Sequence, residues 1–407
     1  MLRYSTIKIV LVIIFLIKGV IMAAIKSTKK SKSSVSKKPL NIFSRAAIKG
    51  CDWFVNSQTI QCRPKWDANH GRVPYNIHMP TKSVVQGLNW SMARATYCLV
   101  TAYERTGEQK YLDCAEGAIG YAKTLQVMDS KDPNFGAFHE ETPQSPFCYP
   151  RDGIETAGGF LALYSVTGEK ELLRRGELYL DWYLKNAYVK AGKWGKWAIP
   201  EIRFDGQKPH LTAFGAYQSG AGYIFSYAYQ LTGKAKYKTA CINYADSALK
   251  MYYNGEISPW IEGEKHVFND DGMGVSILCA YQLTKNPKYL ESCQNVCSYF
   301  AYHGYTGSGH AGLSCIVNLM IETDHVGGTN YYSKAIKSLL KDVLAKQVNH
   351  SNKLFNGGFA GEDEVPAWYA KNSKSEQFIV TRVTAYSVLS LFKAEGLAWG
   401  KGYSTKL

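Results

Sequence analysis

Asp152 stands in "CYPRDGIETAGGF", with Tyr149 and Arg151 just ahead of it and Glu155 three residues on. Two carboxylates, a phenol and a guanidinium thus fall within seven residues. Three further acidic stretches accompany them: Asp270–Asp271 in "VFNDDGMG", Glu140–Glu141 in "FHEETPQSP" and Glu362 in "AGEDEVP". Adjacent carboxylates raise one another's pKa, so one stays protonated near neutrality while the other ionises, as general acid–base chemistry requires. Each has a plainer alternative. Asp152 and Glu155 suit the first turn of a helix as N-terminal acids, and Glu362, Asp363 and Glu364 suit a solvated loop.

Rings and polar groups surround these acids. "WDANHGR" gathers Trp66, Asp67, His70 and Arg72; its guanidinium fork fits a carboxylate ligand, while Asp and Gly alone would make a turn. Trp90, Trp260 and Trp368 offer flat faces for stacking or for core packing. Tyr217 and Gln218 in "FGAYQSGAGYIF" and His310 in "GSGHAGLSC" open later apolar runs. Aromatic faces stack on sugar rings and carboxylates bond hydroxyls, so the combination points to a carbohydrate ligand. Two carboxyl groups about 5 Å apart would cleave a glycosidic bond with retention, and about 6.5–9.5 Å apart with inversion. The pattern favours Asp152 as general acid with Asp271, or Asp270, as its partner.

The elements that must position these residues are written as a repeat. "TAYERTGEQKYLDCAEGAIGYA" (101–122) returns as "ALYSVTGEKELLRRGELYLDWY" (162–183), "YAYQLTGKAKYKTACINYADSA" (227–248) and "CAYQLTKNPKYLESCQNVCSYF" (279–300). Each copy is an apolar helix, a turn at Thr106, Thr167, Thr232 or Thr284, and a second helix that in three copies opens on Lys-Tyr. Gly107, Gly168 and Gly233 supply left-handed C-caps. Spacings of 61, 65 and 52 residues exceed the period of a helical solenoid and suit a hairpin plus a long connector. Residues 310–347 form a fifth, degenerate pair. A lone second-type helix at 41–58 and a lone first-type helix at 376–396 complete a sixth by closing the ring. The expectation is an all-α (α/α)6 toroid over 41–407. Its long connectors gather at one end, where inner-helix N-termini favour anionic groups.

Units of the form Ala-Tyr-x-x-Thr-Gly-x-x-Lys-Tyr-Leu resemble the six-hairpin glycosidase superfamily over roughly residues 41–396. That resemblance implies a sugar-handling scaffold shared by hydrolases, epimerases and lyases. "RDGIETAGGFLALYSVTGE" is similar to an inner helix of unsaturated glucuronyl hydrolases, whose helix-start Asp matches Asp152. Those enzymes open the next inner helix with a second Asp, where this chain has Gln218. "FHEETPQSP" resembles the Glu-Glu-Tyr-Pro stretch of glucuronyl C5-epimerases, matching Glu140 and Glu141 but with Thr142 in place of Tyr. Both likenesses imply uronic acids. The readings this leaves are a glycoside hydrolase, an epimerase or lyase in which Tyr149 with a Glu abstracts a proton, and a non-catalytic glycan-binding toroid.

Bulk properties exclude other classes. The net charge of +15 is concentrated in residues 1–50, which hold eleven Lys or Arg and no acid; the rest has 37 basic and 33 acidic groups, a net of +4. A near-balanced body lacks the basic surface that nucleic acid requires. Residues 1–24 read as a signal peptide, with Arg3 and Lys8 before the apolar run Ile9–Ile17 and small residues at Ala23–Ala24; an uncleaved anchor is the alternative. Residues 25–40, rich in Lys and Ser, read as a disordered linker. The expected location is outside the cell or in its envelope, with a carbohydrate as partner. Among the ten cysteines, Cys51 with Cys62 is the disulfide to test. No metal or cofactor motif is present, and neither DxDD nor DDxxD spacing supports a terpene cyclase.

Overall fold

The computed structural model describes residues 40–60, 69–187, 201–208, 221–253, 257–258, 266–267, 273–305, 310–361 and 373–395. The leader, nearly all of the linker, and the candidates Trp66, Asp67, Tyr217, Gln218, Trp260, Asp270, Asp271, Glu362 and Trp368 lie outside the described residues, as does Cys62.

Twelve α-helices are described. Six are outer: α1 (Ile42–Ser57), α3 (Gln109–Leu125), α5 (Lys170–Trp182), α7 (Ala235–Tyr253), α9 (Pro287–His303) and α11 (Ser333–Ala345). Six are inner: α2 (Asn89–Thr106), α4 (Pro150–Thr167), α6 (Ala221–Thr232), α8 (Met273–Thr284), α10 (His310–Gly327) and α12 (Thr381–Ala394). Each inner helix packs on the next, from α2 through α4, α6, α8 and α10 to α12, and α12 returns to α2. The ring closes as the repeat predicts, and the fold is an (α/α)6 toroid. Burial follows: α4 is buried from Pro150 to Leu163 except at the half-buried Arg151, whereas α11 buries only Ile336, Leu339, Leu340 and Val343, one stripe at helical spacing.

The repeated residues have repeated jobs. Thr106, Thr167, Thr232 and Thr284 each donate a hydroxyl proton to the carbonyl four residues back. The same oxygen accepts the backbone N–H two residues ahead, so one side chain ends one helix and steers the chain into the next. The Lys-Tyr pair clasps neighbouring outer helices. Lys110 and Tyr111 reach Asp52 at 2.8 and 2.9 Å, Lys288 and Tyr289 reach Asp246 at 2.7 Å each, and Lys236 and Tyr237 meet Asp181.

Short strands tie the connectors down. β1 (Pro74–His78) pairs antiparallel with β2 (Ser83–Gln86) on one side and β7 (Phe378–Val380) on the other, Ile77 opposite Ile379. The entrance to α2 is thereby joined to the entrance to α12. β3 (Phe147–Cys148) pairs with β4 (Ile202–Arg203) just ahead of α4. Two further strands, β5 (Ile257–Ser258) and β6 (His266–Val267), pair in the connector before α8.

Nine cysteines are described, all buried, and none is bonded to another described cysteine. Cys51 points inward, its thiol 3.5 Å from the Cys98 carbonyl, and burial pushes its pKa well up. No described helix is long and apolar enough to cross a membrane.

Candidate active site

The entrances of α2, α4 and α12 converge on a cavity of about 170 Å³, lined among the described residues by Tyr75, Leu88, Trp90, Arg94, Tyr149, Arg151, Asp152, Glu155, Arg382 and Tyr386. Local chemistry sets these entrances. Pro150 occupies the first turn of α4, where its missing N–H costs nothing, and Asp152 follows in the same turn with its N–H donating to the Tyr149 carbonyl at 2.9 Å. Trp90 begins α2 and meets Tyr75 edge-on, ring centroids 5.9 Å apart.

Asp152 does not stand alone. Glu140 is 2 % exposed and Asp152 8 %, and the two carboxyls interact at the entrance of α4. Glu140 Oε2 accepts the Tyr149 backbone N–H at 3.0 Å and the Asn89 amide at 3.4 Å; Oε1 is buried with no hydrogen-bond partner among the described residues. Burial and then the Asp152 charge drive the Glu140 pKa well above the usual carboxylate range. Two buried carboxyls that interact disfavour the doubly ionised state, and the effect falls on Glu140, the more buried of the two. Arg151 Nε, 3.1 Å from Asp152 Oδ1, balances the remaining charge.

Glu155 is occupied differently. It takes Arg94 at 2.7 Å and the Tyr223 hydroxyl at 2.5 and 2.6 Å, while Tyr97 donates to its backbone carbonyl at 2.8 Å. Arg94 lies over the Tyr386 ring, 4.5 Å from its centroid. These groups make a charged floor whose carboxylate is already fully engaged.

The structure separates residues that the sequence set side by side. Glu141 turns away from Asp152, its side chain 54 % exposed and 3.3 Å from Arg72; its neighbour Glu140 takes the position beside Asp152. Arg72 is buried against Gly87, Asn69 and the Tyr121 ring, which holds the turn containing His70 rather than facing the cavity. His310 begins α10, and its side chain lies outside the described set. Arg94, Arg382, Tyr75 and Tyr386 were not singled out from sequence. Arg382 had a legible signal, because it opens an inner helix, and so did Arg94, a charge in the first half of an inner helix whose other charges, Glu104 and Arg105, fall in its last turn. Among the described residues no cluster of His, Cys, Asp and Glu is placed to hold a metal ion.

No family model matches this chain, and no curated protein matches it. Solved structures do. Cellobiose 2-epimerase from Bacillus thermoamylovorans superposes with a TM-score of 0.62 at 11% identity, over 88% of this chain and 100% of its own. An unsaturated glucuronyl hydrolase specific for heparin gives 0.58 at 13% identity, over 87% and 97%. An inactive α-1,6-mannanase of Salegentibacter, with two consecutive aspartates replaced and α-1,6-mannotriose bound, gives 0.57 at 11% identity, over 87% and 99%. At these identities the likeness is one of fold. The chain has the six-hairpin toroid on which these hydrolases and this epimerase are built.

Proposed function

We propose that this chain is an exported glycoside hydrolase that cleaves an oligosaccharide or polysaccharide by carboxylate acid–base catalysis. One observation carries the reading: two buried carboxyls, Glu140 and Asp152, interact so that the Glu140 pKa is driven well up, and Asp152 lines an aromatic-walled cavity at the mouth of the toroid. Carboxyls in contact are too close to flank a glycosidic bond, so Glu140 and Asp152 work as one unit. Asp152 presents the proton to the leaving oxygen, and Glu140 behind it supplies the environment that keeps the proton available. The second carboxylate is then Asp271 or Asp270, in the connector that leads into α8. Tyr75 and Trp90 provide the faces against which a sugar ring stacks.

Abstraction of a C5 proton, as an epimerase or lyase requires, would need Tyr149 as an anion. Burial and the charges of Glu140, Glu201 and Asp152 push its phenol pKa up, so it keeps its proton and suits donation. The test is to incubate the protein with uronic-acid and neutral polysaccharides and follow reducing ends together with absorbance at 232 nm. Reducing ends alone, lost in Asp152→Asn, support hydrolysis. Growth at 232 nm would make the chain a lyase, and binding without turnover would make it a glycan-binding toroid. Export is tested by N-terminal sequencing of secreted protein, expected to begin near Ile25.

A further inference from the structure

We infer that the outer wall formed by α11 and the head of α1 docks on an anionic bilayer surface, with acidic phospholipid head groups as its partner. The inference stands apart from the saccharide reading, because none of the residues involved lines the cavity. It starts from where charge is left over. The lysines that open α3, α7 and α9 are answered by the neighbouring outer helix: Lys110 by Asp52, Lys236 by Asp181 and Lys288 by Asp246. The degenerate fifth pair has lost that arrangement. Its outer helix carries Lys334, Lys337 and Lys341 instead, spaced i, i+3 and i+7 on the face opposite the buried stripe of α11. All three are exposed, and none has an ion-pair partner among the described residues. Residues 331–353 hold five lysines against a single acid, Asp342.

The basic wall continues onto α1. Just past α11, the Gln347 amide donates to the Ala46 carbonyl at 2.8 Å, and Lys49 donates to Asn349 at 3.1 Å. These contacts bring the tail of α11, with Lys346, against the head of α1, with Arg45 and Lys49. Arg45 also donates to the Leu40 carbonyl at 2.9 Å, so the chain enters α1 at this corner. It comes from residues 25–40, which add six lysines and no acid. Ile42, 57 % exposed in the first turn of α1, puts an apolar side chain beside these charges. The shape of the wall selects the partner. Ammonium groups on the convex side of an outer helix make point contacts across a plane, whereas bidentate recognition of a single anion calls for guanidinium forks. A bilayer of acidic lipids presents such a plane, and its attraction accumulates over each nearby Lys or Arg. An exposed apolar residue beside a basic run suits the head-group boundary.

The test uses the chain from Ile25, the form expected after export, which keeps the Lys-rich segment and the whole toroid. It is sedimented with vesicles of phosphatidylcholine, or of an equimolar mixture of phosphatidylcholine and phosphatidylglycerol. Wild type should partition to the anionic vesicles and be released as salt rises. The triple variant Lys334→Gln, Lys337→Gln, Lys341→Gln should bind them about 10- to 100-fold less tightly. Its Tm should match wild type, because these side chains are exposed. A control removes equal charge from exposed lysines on other walls, Lys131→Gln, Lys170→Gln, Lys250→Gln, and should lose less than about threefold. Equal effects in the two triples would make net charge the cause and overturn the wall as a docking face. No partition to either vesicle, or equal partition to both, overturns it as well. Retention on immobilised polyphosphate without vesicle binding would replace the bilayer by a soluble polyanion and end the lipid assignment.

Discussion

The backbone N–H of Tyr149 donates to Glu140 Oε2 at 3.0 Å, and Tyr149 is also the residue that caps α4, three positions before Asp152. One backbone group thus fixes both the acid behind and the helix start that carries the acid in front. The connector is pinned again where the Glu140 N–H meets the Phe147 carbonyl at 3.2 Å and the Asn89 N–H meets the Glu140 carbonyl at 2.9 Å. Glu140 therefore belongs to the scaffold of two inner-helix entrances, α2 and α4. Its carboxyl is held by a backbone N–H and by the Asn89 amide at the head of α2.

Stability should depend on pH through this pair. The folded-state pKa of Glu140 is raised, so the folded chain keeps a proton that the unfolded chain loses near its ordinary value of about 4.3. The stabilisation is complete below that value and declines as pH rises towards the folded pKa. Glu140→Gln removes the titration. Its Tm should fall less than that of wild type between mildly acidic and alkaline pH, which differential scanning calorimetry across a pH series will show. Parallel curves for the two proteins would mean that Glu140 is ionised in both states.

Catalysis should separate the two members of the pair. Asp152→Asn removes the group that meets the leaving oxygen and should lower kcat/KM by about 10²- to 10⁴-fold at all pH values. Glu140→Gln keeps an uncharged group of the same shape at that position, so kcat/KM should fall by less than about tenfold. A loss as large as that of Asp152→Asn would make Glu140 part of the proton transfer itself.

The ring was legible because its evidence is periodic. Four copies of one hairpin, each with Thr at the turn, give eight helices; the degenerate fifth pair makes ten, and joining the two unpaired helices makes twelve. The site was legible only in part. An acid that opens an inner helix must face the mouth of the toroid, and Asp152 follows from that rule; Arg382 obeys the same rule, but a lone base in an apolar run carries no acid–base signature of its own. Glu140 and Glu141 are adjacent letters with opposite fates, and their division is decided by hydrogen bonds to Asn89, Phe147 and Tyr149 that no local pattern announces. The Lys-Tyr pair of the second helix was visible as a motif, but its acidic partners Asp52, Asp181 and Asp246 sit 42 to 59 residues earlier, beyond the reach of spacing rules.

The repeat also predicts a stabilising substitution. Gly107, Gly168 and Gly233 end their helices at φ of 74°, 71° and 69°. The fourth copy has Lys285 there, at φ 59°. The left-handed conformation costs a side-chain-bearing residue about 1–2 kcal/mol, against which glycine loses about 0.5–1 kcal/mol of unfolded-state freedom. Lys285→Gly should raise stability by up to about 1 kcal/mol, and Gly107→Ala should lower it by a similar amount. Urea unfolding of the two variants measures both signs.

The Arg94–Glu155 pair should be worth more to folding than to chemistry. Both side chains are almost fully buried, and Glu155 also accepts Tyr223 from α6, so the pair joins α2, α4 and α6 under the cavity. Removing one partner strands the other without solvent, which costs about 3–5 kcal/mol. Arg94→Met should therefore unfold at markedly lower urea. The double variant Arg94→Met, Glu155→Gln should recover much of the loss, because no net charge is then left in the floor and the amide still accepts from Tyr223. Glu155→Gln alone leaves Arg94 without its counter-charge and should be intermediate in stability. Its kcat should stay within about tenfold of wild type, far above that of Asp152→Asn. Should Glu155→Gln instead match Asp152→Asn in kcat while keeping wild-type stability, Glu155 would be a catalytic carboxylate, and the floor of the cavity would belong to the chemistry rather than to the scaffold.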